Sequence, residues 1–401
     1  MLNKIEITVQ KNTEQNPDIS FLDLKTAEKV LSFHKSFPQY EKTPLANLKN
    51  FAKKRGIKDF YIKDESYRFG LNAFKVLGGS FAIGNYIANR LGKDISEMPY
   101  DKLISDEVRN SLGEITFASA TDGNHGRGVA WTANKLKQKC RIYMPKGSAE
   151  ERLENIRKEN AEADIYDYNY DDCVRLADKF AKEHNGILVQ DTSWDGYEEI
   201  PRNIMQGYMT MAYEAYSELK EKGVTPTHIF LQAGVGSLAS AVTGFFANVM
   251  KDEKPIITIV EPHRANCLFK TASATDGKLH NVTGDLDSIM AGLNCGEPVT
   301  VGWPILSKYC DYFMSVDDMY AAHGMRLLGN GISDDPKVVS GESGAVTAGV
   351  VSKLMSDPEL KDIKDKTGLD ENSVVLCFST EGDTDGENYR NIVWDGKYPS
   401  F

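Results

Sequence analysis

The chain has little that would build a metal site or a disulfide framework. Its six cysteines (Cys140, Cys173, Cys267, Cys295, Cys310 and Cys377) are scattered over 401 residues, with no Cys-x-x-Cys pair among them. Neither a structural zinc site nor a dense disulfide scaffold is therefore expected. Buried free thiols are the plain reading, and one conditional pairing, between Cys267 and Cys295 in a loop-rich stretch, is left open. The seven histidines form no His-x-x-x-His or similar cluster, so metal catalysis has no support. Nor does the chain contain an apolar run approaching the roughly 20 residues of a membrane span. The N-terminal run Met1-Leu2-Asn3-Lys4-Ile5-Glu6-Ile7 places an acid where a secretory leader needs apolar residues. A cytoplasmic location without a membrane partner is expected. A basic excess is missing too: the formal net charge is −11, which argues against a nucleic-acid partner.

What is present is ordinary globular composition, 41% hydrophobic and 26% charged, and long enough for two core-bearing lobes. From residue 115 onward, short apolar runs alternate with longer helical patterns. Strands are read at Ile115–Ser119, Arg141–Met144, Asp164–Tyr168, Ile187–Gln190, His228–Gln232, Ile256–Val260 and Val374–Phe378. Between them fall helices at Arg127–Gln138, Ala149–Glu162, Asp171–Glu183, Arg202–Lys222, Leu238–Met250 and Ala345–Met355. This βαβα rhythm predicts an α/β protein of parallel sheets covered by helices on both faces. The region Thr271–Thr300, rich in Gly, Asp, Asn and Thr, reads as a long loop.

Lys75 stands out, in the run Asn72-Ala73-Phe74-Lys75-Val76-Leu77-Gly78-Gly79-Ser80. Apolar neighbours disfavour the ammonium and push the amine toward its neutral, nucleophilic form, which a Schiff-base lysine needs. Four later segments keep it company. Gly234-Val235-Gly236-Ser237-Leu238 follows a strand and opens a helix, where free backbone amides make a phosphate site. A plain strand-to-helix turn is the bland reading. Gly234-x-Gly236-x-x-Ala239 also satisfies the dinucleotide fingerprint, with Glu261 ending the next strand, so a nicotinamide-dependent oxidoreductase competes.

Ser119-Ala120-Thr121-Asp122-Gly123-Asn124-His125-Gly126, between a strand and a helix, offers amide and hydroxyl donors to a carboxylate. Asp122 is the odd member, because its charge would repel that anion; it is either a turn-capping residue or a base aimed at substrate. Gln190-Asp191-Thr192-Ser193-Trp194-Asp195 ends another strand, where open α/β sheets bind ligands. Asp195 reads as a solvated loop acid. Ser379-Thr380, after the last strand, is either a turn-stabilising pair or a hydroxyl partner for a ring nitrogen.

Together these segments resemble the pyridoxal-phosphate enzymes of fold type II, the tryptophan synthase β-like group. Thr43-Pro44-Leu45, Ile62-Lys63-Asp64-Glu65-Ser66 and Phe74–Gly79 look like that group's first motifs and its cofactor lysine. Ser119–Gly126 looks like its carboxylate loop, Gly234–Leu238 like its phosphate loop, and Ser379 falls where its pyridine-nitrogen partner stands. Asp122 departs from the serine and threonine dehydratase pattern. With Gly70–Lys75, Gln190–Trp194 and Ser379–Thr384, it is similar instead to the diaminopropionate ammonia-lyase family.

The resemblance implies two doubly wound open-sheet domains: a large cofactor-binding domain from 1–81 and 198–401, and a small substrate-binding domain from 82–197. It implies α,β-elimination of 2,3-diaminopropionate, in both D and L forms, to pyruvate and ammonia, by a homodimer. A serine or threonine dehydratase of the same fold is the first alternative, and a non-catalytic binding protein a distant one. Lys75 would hold pyridoxal 5′-phosphate, with Asn72, Phe74, Asn124, Gly234, Val235, Gly236, Ser237, Leu238 and Ser379 or Thr380 around it. Asn72 would meet the ring hydroxyl. Ser119, Thr121, Asp122, Asn124, His125 and Asp191 would bind substrate. Lys75 and Asp122 would serve as bases on opposite faces, with Asp191 sharing the contact to the second ammonium.

Overall fold

A strand that is apolar at every position has two faces to hide, so it needs helices above and below it. The central strands His228–Gln232 and Val374–Ser379 are buried at every position and mostly apolar. The structure, a computed structural model, describes residues 5–9, 16–274 and 276–399. Residues 1–4 of the N-terminal run, and residue 275 of the long loop, lie outside them.

Three strands precede residue 70: β1 (Glu6–Thr8), β2 (Leu45–Asn47) and β3 (Asp59–Asp64). Four follow in mid-chain: β4 (Thr116–Ala120), β5 (Lys139–Met144), β6 (Glu162–Ile165) and β7 (Ile187–Leu188). The rest are β8 (His228–Gln232), β9 (Ile256–Pro262), β10 (Tyr312–Val316) and β11 (Val374–Ser379). They form a seven-stranded sheet in the order β1-β10-β9-β8-β11-β3-β2 and a four-stranded sheet in the order β6-β5-β4-β7. Interior pairings are parallel, with Val375 opposite His228 and Phe60 on neighbouring strands. The two edges of the larger sheet, β1 and β2, are antiparallel, which the parallel rhythm alone did not predict.

Alternation along the strands divides the core. Tyr61, Ile229, Leu231, Leu376 and Phe378 face a cluster built with the helices Leu24–Lys35, Val76–Arg90, Glu199–Glu221 and Ser237–Met250. Phe60, Ile62, Phe230, Val375 and Cys377 face the opposite cluster, built with Asp318–Asn330 and Glu342–Leu354. No helix among the described residues is long and apolar enough to cross a membrane.

Several expected helices have different limits: those expected over Arg127–Gln138 and Arg202–Lys222 run over Asn124–Lys135 and Glu199–Glu221. The one expected over Ala149–Glu162 stops at Arg157, because its last apolar anchor is Ile156 and the chain then turns at Asn160 (φ 59°) into β6. Asparagine tolerates that left-handed conformation better than most residues. The helix expected from Ala345 begins earlier, at Glu342.

Candidate active site

A cavity of about 740 Å³ opens where β8 and the segments following β4, β7 and β11 converge. Lys75 enters it from the residue preceding the helix Val76–Arg90. Close helix packing fixes that residue. A Cβ on Gly78 would lie 2.6 Å from Tyr208, and one on Gly128 would lie 2.8 Å from the Val76 backbone. The segment is also tied to the loop after β11: Phe74 N–H donates to the Thr380 carbonyl at 3.0 Å, and Gly382 N–H to the Asn72 carbonyl at 3.0 Å.

The Lys75 ammonium forms an ion pair with Asp191 Oδ2. Burial works against that charge, but the adjacent Asp191 carboxylate overrides it and raises the lysine well above its ordinary range. The expectation of a neutral amine is thereby corrected: apolar sequence neighbours do not set the charge when a carboxylate 116 residues away touches it. Asp191 shows the converse. Burial alone would raise it, yet Lys75 holds it below the usual carboxylate range. Tyr170 O–H donates to Asp191 Oδ1 at 3.3 Å, completing its contacts on the cavity side.

Of the loop after β4, Thr121, Asp122, Asn124 and His125 line the cavity. Ser119 does not: its hydroxyl is buried, donating to Val189 O at 2.7 Å and lying 2.9 Å from Gln190 Oε1. Asn124 Nδ2 donates to Glu381 Oε2 at 2.5 Å. His125 Nε2 donates to the Val189 carbonyl at 2.9 Å. Burial lowers its pKa, and its Nδ1 lies 3.9 Å from Asp191 Oδ2. Asp122 Oδ2 accepts from Arg152 Nη1 at 3.1 Å. Asp195 is exposed, as its loop position suggested.

The glycine turn Gly234–Leu238 lines the same cavity. Gly236 has φ 106°, a conformation that costs only glycine little, and the helix Ser237–Met250 starts there with no side-chain cap. Its first N–H groups are thus available to an anion. Gly234 makes room as well, since a Cβ on it would lie 3.1 Å from Cys295 Sγ. Gln232 Oε1, Ser343 Oγ and His125 Nδ1 are buried in the wall, with no hydrogen-bond partner among the described residues. Buried polar atoms without partners mark a place for a polar occupant. An anion cradle, a lysine and three unspent polar atoms around one cavity fit a phosphate-bearing heteroaromatic cofactor.

Two expected cofactor contacts lie elsewhere. Asn72 does not line this cavity; its Nδ2 donates to Asp383 at 3.1 Å. Ser379 is fully buried and donates to Ser340 Oγ at 2.8 Å. Thr380 does line the cavity. Its Oγ1 accepts from Gln232 Nε2 at 2.9 Å, a bond that leaves its own proton free. Phe74, Val235, Ser237 and Leu238 are in the lining as expected.

Glu261 is not a ribose ligand. It is fully buried, and its oxygens accept from Leu268 N–H at 2.9 Å and Phe269 N–H at 2.7 Å. Burial pushes this carboxyl up to about 8. All six cysteines are buried free thiols, Cys267 and Cys295 included.

Sequence reasoning missed Arg152, Tyr170, Gln232, Glu342 and Glu381, which also line the cavity. Gln232 closes a strand whose end was already suspect, so its position was a usable signal. Arg152 had none, since it sits in a helix dense with solvated charge.

The chain matches the model of the family described as pyridoxal-phosphate dependent enzymes over residues 37–369. It is 49% identical to the diaminopropionate ammonia-lyase of Salmonella typhimurium over 381 residues, 94% of each chain. Its fold superposes on the crystal structure of Escherichia coli diaminopropionate ammonia lyase in complex with an aminoacrylate–PLP azomethine reaction intermediate. That match has a TM-score of 0.90 and 44% identity, and covers 99% of this chain and 98% of the other. The same enzyme in complex with D-serine matches with a TM-score of 0.91, at the same identity and coverage. With a half-buried lysine, a glycine turn at a helix start and the loop after β4 converging on one cavity, this chain belongs to the fold type II pyridoxal-phosphate dependent enzymes.

Proposed function

We propose that this chain is a diaminopropionate ammonia-lyase, converting 2,3-diaminopropionate of either hand, with one water, to pyruvate and two ammonia. The observation that carries this reading is the placement of Lys75, Asp122 and Asp191 around one cavity. A diamine brings a second cation, and carboxylates beside the lysine suit it; a hydroxyl leaving group needs no such partner. The near-full-length identity to a lyase of that name supports the same reading.

Pyridoxal phosphate bound there supplies an electron sink that makes the substrate Cα–H removable. The chain's own residues do the rest. The Gly234–Leu238 amides would hold the phosphate, the Thr380 hydroxyl would hydrogen-bond the ring nitrogen, and Lys75 Nζ would be the attachment amine. Asp191, in contact with Nζ, would hold the lysine beside the site for that attachment. The turn from Thr121 to His125 holds the substrate carboxylate. Lys75 would take the substrate α-proton from its own face of the site. The mirror-image substrate presents that proton to the other face, where Asp122 takes it. We further assign the working form to a cytoplasmic homodimer, as the family resemblance implies.

The test is an absorbance spectrum of the purified protein before and after D- and then L-diaminopropionate, alongside pyruvate release from diaminopropionate, serine and threonine. A cofactor band that responds to both enantiomers, with diaminopropionate the fastest substrate, is expected. Faster turnover of serine or threonine would instead establish a dehydratase.

A further inference from the structure

Arg152 is out of character with its helix. The segment Glu150–Arg157 is mostly exposed charge, yet Arg152 is only 7% exposed and reaches into the cavity wall. Its stem lies over Gly123, where a Cβ would come within 2.8 Å of Arg152 Cδ. Its Nη1 donates to Asp122 Oδ2 at 3.1 Å, and Nη2 approaches Thr384 Oγ1, on the loop after β11, at 3.5 Å. Glu381, Glu342 and Asp385 also act on its charge.

We propose that Arg152 is a positioning residue that fixes Asp122 by one oxygen, leaves the other for the substrate Cα–H, and so determines use of the D enantiomer. The proposal rests on the reading of Asp122 as the second base. Two features favour it over direct binding of the substrate carboxylate by Arg152. First, the guanidinium already has a partner in Asp122 and faces three further acids, so one cation among four carboxyl groups offers a carboxylate no net attraction. Second, the contact is made at the reacting loop itself. With Gly123 bare beneath the stem, the arginine packs directly on the turn that carries Asp122. A planar guanidinium holds a carboxylate in one orientation, which the point charge of a lysine does not.

The experiment compares Arg152→Gln, Arg152→Lys and Asp122→Asn in the holoenzyme, measuring kcat and KM on both enantiomers and following the cofactor band. Misplacing a base by about 1 Å costs roughly 10²-fold. Arg152→Gln should therefore lower kcat for D-diaminopropionate by about that factor, with a much smaller loss for the L form and little change in either KM. Arg152→Lys should recover part of the D activity. Adding Arg152→Gln to Asp122→Asn should cost little more on the D substrate, because the base it positions is already gone. An equal rise in KM for both enantiomers would overturn the proposal and make Arg152 a carboxylate ligand. If Arg152→Gln loses its cofactor band, Arg152→Lys decides: an unchanged D to L ratio overturns the proposal. Asp122→Asn reports on the underlying reading separately, since an equal loss on both enantiomers removes Asp122 as the second base whatever Arg152 does.

Discussion

Two buried ionic networks in this molecule differ in how completely they are closed. One joins Lys63, Glu65, Arg68 and Glu214. Arg68 bonds both carboxylates, with its Nε 2.8 Å from Glu65 Oε2 and its Nη2 2.8 Å from Glu214 Oε2. Lys63 Nζ lies 2.6 Å from Glu214 Oε2 and donates to the Thr43 carbonyl at 2.6 Å. Thr43 O–H donates to Glu65 Oε1 at 2.7 Å, and Tyr40 O–H to Glu214 Oε1 at 2.8 Å. Two cations meet two anions, and the donors are spent. The other set, Lys75 with Asp191 and His125 and, on the same cavity, Asp122 with Arg152, is open: His125 Nδ1 and Arg152 Nε have no hydrogen-bond partner among the described residues. A closed network over-determines backbone geometry, whereas an open one holds capacity for a ligand. The closed set brackets the turn that leads, through Phe69 and Leu71, to Lys75, so one network steadies the segment that delivers the other's amine.

The strongest way to break this contrast is at Lys75. Lys75→Ala should abolish turnover and the visible cofactor band together; Lys146, the other lysine in the cavity lining, is paired with Asp167 at 2.7 Å. A variant that kept full cofactor absorbance would remove the attachment role. Next comes Glu214→Gln, which strands Lys63 and part of Arg68 without their shared anion. Breaking a buried pair from one side costs about 3–5 kcal/mol. Denaturant unfolding of Glu214→Gln should show a loss of that order, with kcat per folded molecule little changed. If kcat fell while stability held, the closed network would belong to the chemistry after all.

The contrast also marks how far the sequence could be read. Apolar runs such as Ile229–Leu231 and Val374–Phe378 announced buried parallel strands, because helices on both faces leave little room for polar positions. The glycine turn and the loop after β4 were legible for a similar reason, since anion binding at a helix start demands small residues in a fixed place. Charge was the obscure part. Lys63 and Arg68 are fully buried, which no local pattern announces, because they share a partner on a distant helix, Arg68 and Glu214 being 146 residues apart. Arg152 was hidden the same way within a charged helix, and Asp191 changed the charge expected of Lys75. Pairings of this kind belong to tertiary structure, and no local spacing encodes them.

The smallest effect sharpens the comparison at two adjacent residues. Ser379 behaves as a closed site: its hydroxyl is fully buried and already donates to Ser340 Oγ at 2.8 Å. Thr380 behaves as an open one, accepting from Gln232 while its own proton faces the cavity lining. Ser379→Ala should therefore cost about 1 kcal/mol of stability, the usual net value of one hydrogen bond, and leave cofactor affinity and band position unaltered. Thr380→Val keeps the shape and removes the hydroxyl. It also leaves Gln232 Nε2 bonded only to the Phe378 carbonyl, at 2.9 Å. Titrating the cofactor-free variants with pyridoxal phosphate should show weaker binding and a shifted band for Thr380→Val alone. The opposite order, with Ser379→Ala moving the band, would assign the ring-nitrogen contact to the residue that is closed in this structure, and would require Ser340 to release its partner when the cofactor binds.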